Sequence, residues 1–172
     1  MTETDALESG AVDGKLAIAH TRGMFDRRTR VGAYAVSQDP DGRVLLCKFA
    51  PGFGLSGLWT LPGGGLEFGE DPAVGVLREL EEETGLNGKV QELLTVSSRM
   101  AVVNGRRGPY DLHSVRIVYR VEIVGGTLRY ELNGSTECCG WFYPGEAQAL
   151  PLVDLAEIGL ETIRMQPMEA IR

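Results

Sequence analysis

Three carboxylates are spaced to lie on one side of a predicted helix. Glu79, Glu82 and Glu83 stand at positions i, i+3 and i+4, whereas Glu81 points elsewhere. Like charges this close repel one another, so the cluster lowers stability unless a cation compensates. Hard oxygen ligands of this kind suit Mg²⁺ or Mn²⁺, which bind a few carboxylates and bridge to substrate phosphates. Taken alone, the three residues are more typical of a solvated acidic helix face than of a metal site.

The elements around the carboxylates favour a functional site. A run of glycines at 63–65 supplies a backbone that a ligand can approach closely, and it leads into the carboxylate helix. Asp71 can cap the free amides of that helix, and Pro72 suits its first position because no N–H is needed there. Gly85 is a natural C-terminal stop. One apolar stripe with helical spacing should anchor the helix to a core: Ala73, Val76, Leu77 and Leu80.

This stretch resembles the Nudix hydrolase family. The family's motif is G-x5-E-x7-R-E-U-x-E-E-x-G-U, where U is aliphatic, and every fixed position is filled here. The matching residues are Gly64, Glu70, Arg78, Glu79, Leu80, Glu82, Glu83, Gly85 and Leu86. The resemblance implies an α+β fold, a Nudix-like α/β/α sandwich with a mixed β-sheet between helices, across residues 30–164.

The resemblance also implies roles for the motif residues. It assigns metal binding to Glu79, Glu82, Glu83 and the backbone carbonyl of Gly63. Arg78 would orient Glu79, and Glu70 would pair with Arg78. The implied cofactor is Mg²⁺, with Mn²⁺ as a substitute, and the implied reaction is hydrolysis of a diphosphate linkage by a metal-activated water.

The sequence does not decide which group removes the proton from this water. Glu79 is the first candidate. Glu137, four residues before Trp141, is in a place where the family often has a further carboxylate, although a surface glutamate beside a turn fits as well. Weaker alternatives are Glu122 and Glu131.

Residues outside the motif are candidates for contacts with the substrate. Arg99, Arg106 and Arg107 lie on or near a predicted loop and can grip phosphate, or they belong to a solvated surface. Trp59 and Tyr34 can stack on a base, or they pack in the core as aromatic residues in strands commonly do. The expected partner is a small nucleotide-like molecule, and a homodimer is left open.

The function therefore has competing interpretations. The first is a hydrolase acting on a nucleoside di- or triphosphate, or on a nucleoside diphosphate linked to another group. The second is a Nudix-fold regulator that binds a nucleotide without turnover, and the complete set of carboxylates favours catalysis over it. A third, processing of RNA 5′ ends, needs a basic surface, and the net charge of −7 gives no support for one.

Composition is typical of a soluble globular protein. The chain has 172 residues, of which 43% are hydrophobic and 24% charged, and no apolar run approaches the ~20 residues that span a bilayer. We expect a disordered tail at 1–12, a single domain at 13–172 and a cytoplasmic location, because the first residues do not resemble a secretory signal. The cysteines Cys47, Cys138 and Cys139 are odd in number and should be reduced thiols, with Cys47 buried.

Strands and helices are mixed without regular alternation. Residues 30–36 and 44–49 flank a turn at 39–42, which predicts a hairpin. Residues 89–103 mix strand-like pieces with polar breaks. Further strands are predicted at 58–61, 115–123 and 141–143, and a second amphipathic helix around 155–162.

Overall fold

The computed structural model describes residues 25–52, 54–105, 107–129 and 134–165, and these form two β-sheets and three helices. The predicted tail at 1–12 lies outside the described residues, as do Arg106 and Glu131. The helices are α1 (Pro72–Thr84), α2 (Pro144–Ala147) and α3 (Asp154–Met165). None of the helices in the described ranges is long and apolar enough to cross a membrane.

The larger sheet is mixed, as predicted. Its strand order is β4-β1-β6-β5, in which β1 runs parallel to β6 while the other neighbours are antiparallel. The smaller sheet has the order β3-β2-β7 and is antiparallel. The strands are β1 (Asp26–Val36), β2 (Val44–Phe49), β3 (Trp59–Thr60), β4 (Gly63–Gly65), β5 (Leu86–Gly105), β6 (Gly108–Gly126) and β7 (Thr136–Phe142).

The predicted pairing of residues 30–36 with 44–49 is wrong, although just after β1 a single antiparallel bridge joins Gln38 to Val44. The turn is present, since the Gly42 N–H donates to the Asp39 carbonyl at 2.9 Å, but the two strands belong to different sheets. β1 already has β4 on one edge and β6 on the other, so β2 pairs with β3 and β7 instead. Alternation within a strand identifies its buried face and not its neighbour.

The segment predicted as broken strand is one long strand, β5, paired with β6. Its register shifts at Asn87/Gly88, Val90/Glu92 and Leu93/Thr95. The last two shifts each put one extra residue into β5, at Gln91 and Leu94, and the first puts one into β6, at Val124. Such bulges interrupt the apolar alternation without ending the strand.

Helix α1 begins and ends as the sequence predicts. The Asp71 side chain accepts a hydrogen bond from the Ala73 N–H at 2.8 Å, and Gly85 adopts φ 71°, the left-handed conformation that closes many helices. The apolar stripe packs on one face of the larger sheet, where Val76 and Leu80 are fully buried. Burial of this stripe fixes α1 and thereby the direction of its carboxylates.

Helix α3 covers a second core on the opposite side of β1 and β6. Leu155, Leu160 and Ile163 pack there with Val36 and Val118. Each face of the larger sheet thus carries one helix, and the predicted sandwich with a mixed sheet between helices is confirmed.

The expectation of three reduced thiols is wrong for two of the cysteines. Cys47 on β2 lies directly opposite Cys139 on β7, and the two are joined by a disulfide. Cys138 is free. Cys47 is fully buried, as predicted. Sequence spacing could not reveal this pair, because it depends on which strands become neighbours 92 residues apart in the chain.

Candidate active site

Arg78 lies at the centre of the carboxylate cluster, which is formed by Glu70, Glu79 and Glu82. Its Nε donates to Glu70 Oε1 at 2.7 Å and its Nη2 to Glu70 Oε2 at 2.9 Å, a bidentate pair. Its Nη1 donates to Glu79 at 3.0 Å and to Glu82 at 3.1 Å, and Nη2 also reaches the Gly65 carbonyl at 3.2 Å. The bidentate bond from Arg78 holds the pKa of Glu70 at about 2, so Glu70 is a carboxylate at neutral pH.

Glu83 is the deepest of the motif carboxylates, only 6% exposed. Its Oε2 accepts from the Gly63 N–H at 2.9 Å, and its Oε1 accepts from the Thr136 hydroxyl at 2.8 Å. Sγ of the disulfide-bonded Cys139 on β7 lies 3.6 Å from the Glu83 backbone carbonyl oxygen. The smaller sheet therefore holds the Glu83 side chain through Thr136, a support that the motif does not predict.

Glu79 lies directly on the glycines of β4. A methyl group added to Gly64 would lie 2.5 Å from the Glu79 carboxylate carbon, so any larger residue would displace this carboxylate. Burial raises the pKa of Glu79, and the neighbouring Glu82 adds to the rise, while Arg78 opposes it. Glu82 is the outermost of the three, with 54% of its side chain exposed.

These residues fit a divalent cation in ligand type and charge. All are hard oxygen donors on one turn of α1 beside a bare backbone strand, the set that Mg²⁺ and Mn²⁺ prefer. Among the described residues, no three acidic, thiol or imidazole side chains converge on one point. Arg78 Nη1 instead lies between Glu79 and Glu82 and supplies the positive charge there. The bidentate bond of Arg78 to Glu70 uses Nε and Nη2, so it is independent of the Nη1 contacts with Glu79 and Glu82.

A second group of residues adjoins the carboxylates from β1, and we call Arg30 and Tyr34 the β1 pair. Gly32 and Gly65 are opposite each other in the β1–β4 register, and a methyl at Gly65 would lie 2.8 Å from Arg30 Nε. Tyr34 is within electrostatic reach of Arg30 and Glu79. Sequence reasoning missed Arg30; the available signal was that Arg30, Gly32 and Tyr34 alternate on one face of a predicted strand.

The structure does not bring the other predicted substrate residues to the carboxylates. Arg99 Nη1 donates to Asp154 at 3.1 Å, at the start of α3. Arg107 is exposed at the tip of the β5–β6 hairpin, whereas α1 packs near its other end. Trp59 packs edge-on against Phe142 with ring centroids 4.9 Å apart, so it belongs to the core.

The candidate carboxylates outside the motif also have partners. Glu137 forms an ion pair with Lys48 at 3.0 Å and is 44% exposed. Its neighbour Thr136 is the residue that turns toward Glu83. Glu122 accepts a hydrogen bond from Gln91 across the β5–β6 pair.

Comparison with known proteins agrees with the motif. A family model described as NUDIX domain matches residues 28–162. A MutT-like protein of Streptomyces ambofaciens is 37% identical over 106 residues, which cover 62% of this chain and 58% of that protein. An ADP-ribose pyrophosphatase of Methanocaldococcus jannaschii is 37% identical over 91 residues, covering 53% and 50%. The chain thus spans little more than half the length of these curated relatives.

A solved structure extends the likeness to nearly the whole domain. The MutT NUDIX hydrolase from Burkholderia pseudomallei superimposes with a TM-score of 0.65 and 32% identity, covering 79% of this chain and 98% of that one. The fold and the motif therefore both indicate the NUDIX family.

Proposed function

Since the chain belongs to the NUDIX family, we propose that it is a hydrolase that cleaves a diphosphate linkage, with Mg²⁺ as cofactor and Mn²⁺ as a substitute. The substrate is a nucleoside di- or triphosphate, or a nucleoside diphosphate linked to another group. The observation that carries this proposal is the arrangement of Glu79, Glu82 and Glu83 on one turn of α1 beside the glycines of β4.

In this proposal, the metal is held by the carboxylates of Glu79, Glu82 and Glu83 and the backbone carbonyl of Gly63. When bound, the cation polarises the P–O bond and makes water a nucleophile near neutral pH. Arg78 keeps Glu79 in place through Nη1 while Glu70 holds the other edge of its guanidinium. Glu83 is kept in one position by the Gly63 amide and the Thr136 hydroxyl.

Glu79 is the first candidate for the general base. Burial raises its pKa, and a carboxylate with a raised pKa is a better proton acceptor. Glu137 is the second candidate. Its ion pair with Lys48 must open before it can accept a proton, so we expect Glu137→Gln to reduce kcat less than Glu79→Gln does.

The test is turnover of a panel of (d)NTPs, oxidised dNTPs, ADP-ribose, nucleotide sugars and dinucleoside polyphosphates in Mg²⁺ or Mn²⁺. We expect Glu83→Gln to reduce kcat by at least ~100-fold, because it removes a ligand charge and disturbs two hydrogen bonds. Glu81→Gln is the matched control, since Glu81 is exposed on the same helix. Equal turnover by wild type and Glu83→Gln would overturn the metal assignment.

The alternative is a nucleotide-binding regulator of the same fold, and it predicts a different result. Such a protein binds members of the panel but releases no metal-dependent product. A cytoplasmic location and a homodimer remain predictions from the sequence.

A further inference from the structure

The β1 pair is placed against the backbone of β4 by glycines. Gly32 and Gly65 face each other in the register, and Gly63 faces Tyr34. A methyl at Gly65 would lie 2.8 Å from Arg30 Nε and 2.9 Å from Nη2, and a methyl at Gly32 would lie 3.0 Å from the Tyr34 hydroxyl. The guanidinium and the phenol thus occupy the space that side chains would fill at these positions.

The Arg30 guanidinium and the Tyr34 hydroxyl can both donate further hydrogen bonds. Among the described residues, neither the Arg30 guanidinium nor the Tyr34 hydroxyl has a hydrogen-bond or ion-pair partner within the protein. Other arginines of this sheet are paired: Arg28 with Asp26, and both Arg99 and Arg116 with Asp154. Arg27, on the same strand, also has no such partner among the described residues, but Arg30 is the one that packs against a glycine of β4.

The pair lies beside the carboxylates and not at a remote surface. Tyr34 is within electrostatic reach of Arg30 and Arg116 on one side and of Glu79 and Glu83 on the other. Arg30 also acts on Glu79 directly. A phenol carries its proton at neutral pH, so the Tyr34 hydroxyl is a donor.

These donors suit phosphate oxygens. A guanidinium binds phosphate through parallel N–H bonds, and a neutral phenol adds one O–H donor. A metal held by Glu79, Glu82 and Glu83 would bind one phosphoryl group of a diphosphate, and the adjoining group would need donors from the protein.

We propose that Arg30 and Tyr34 form a second phosphate-binding subsite, which holds the phosphoryl group next to the one engaged by the metal. The ligand class is a nucleoside phosphate or the diphosphate of a nucleotide conjugate. This inference deepens the proposed function and rests on it for the identity of the ligand.

The first experiment measures equilibrium binding of AMP and ADP-ribose by calorimetry in EDTA, so that the metal site does not contribute. We expect Arg30→Gln to raise the Kd of each at least ~10-fold, in keeping with loss of a charged hydrogen bond, and Tyr34→Phe to raise it a few-fold. Arg27→Gln is the matched control: an exposed arginine on the same strand that loses the same charge. Wild type that binds neither compound, or equal effects of Arg27→Gln and Arg30→Gln, would overturn the subsite.

The second experiment separates the subsite from the hydrolase proposal. In Mg²⁺, Arg30→Gln should raise KM by a similar factor and change kcat less, while Mn²⁺ binding measured by electron paramagnetic resonance stays unchanged. If wild type turns over no member of the substrate panel but still binds AMP through Arg30, the hydrolase proposal fails and the subsite stands. Weakened Mn²⁺ binding in Arg30→Gln would instead make Arg30 a support of the metal site and contradict the subsite.

Discussion

Two arginines contact β4 from different elements, Arg78 from α1 and Arg30 from β1, and their environments are opposite. Arg78, on the α1 side, donates to Glu70, Glu79 and Glu82 and to a backbone carbonyl. Arg30, on the β1 side, contacts the glycine backbone and has no acceptor among the described residues. One arginine therefore organises protein groups, whereas the other keeps its donors for a ligand.

Glu83 and Tyr34 differ in the same way, since one is held by hydrogen bonds within the protein and the other is not. Glu83 has donors on both carboxylate oxygens, one from each sheet, while the Tyr34 hydroxyl is positioned by packing alone. The α1 side is thus fixed by directed bonds, and the β1 side by missing side chains at the glycines. Groups that must hold a metal need fixed positions, and groups that bind phosphate need spare donors.

The largest effect should come from adding one methyl group on the α1 side. In Gly64→Ala, the new Cβ would lie 2.5 Å from the Glu79 carboxylate, so Glu79 must move. We expect kcat to fall at least ~100-fold, as displacements of about 1 Å at a reacting centre can do. Steady-state kinetics in Mg²⁺ measures the change.

Two other glycines test whether this loss is local. A Cβ at Gly145 meets nothing within 4 Å, so Gly145→Ala should leave kcat and KM unaltered. A Cβ at Gly65 meets the end of the Arg30 side chain, which is flexible, and Gly65→Ala should mainly raise KM. A loss of kcat in Gly65→Ala as large as in Gly64→Ala would remove the distinction between the two sides of β4.

The next effect concerns the support of Glu83 from the smaller sheet. Thr136→Val keeps the shape of the side chain but removes the donor to Glu83 Oε1, so this buried carboxylate loses one of its bonds. We expect Mn²⁺ affinity to fall about 10- to 100-fold, the range typical of residues that orient metal ligands. Electron paramagnetic resonance of the free ion measures it.

Thr136→Ser is the conservative control, because it retains the hydroxyl and should keep most of the affinity. If Thr136→Val binds Mn²⁺ as wild type does, the bond positions Glu83 for stability alone. The free energy of unfolding would then still fall by about 1.5–3 kcal/mol, the usual contribution of a hydrogen bond to a charged group.

The two sides of β4 also differ in how far the sequence predicts them. Helical spacing is local, so the position of Glu79, Glu82 and Glu83 and the cap at Asp71 followed from a few residues of sequence. Thr136 is 53 residues from Glu83, and their contact depends on how β7 pairs in the smaller sheet. No local pattern encodes such a pairing.

The arginines illustrate the same limit. Arg99 was a candidate for substrate binding because it stands near the loop predicted at 104–109, but it lies within the long strand β5, and its side chain meets Asp154 of α3. Arg30 stands in a predicted strand and could be noticed only by its shared face with Gly32 and Tyr34. Side-chain type alone did not separate the paired arginine from the unpaired one.

The smallest expected effect is a pH dependence of stability on the α1 side. Arg78 holds the pKa of Glu70 at about 2, below the ordinary value of about 4.3 for an unfolded glutamate. A lowered pKa in the folded state means that the stabilisation is complete above about pH 4.5 and is lost as the pH falls from there through about 2. Glu70→Gln should therefore lower Tm by about 2 °C at pH 7, and the difference from wild type should shrink steadily below pH 4.5.

Differential scanning fluorimetry between pH 7 and pH 3 measures this difference in Tm, with Glu81→Gln as a control whose difference from wild type stays constant. An offset for Glu70→Gln that does not change with pH would mean that Arg78 stabilises the cluster through Glu79 and Glu82 and not through Glu70.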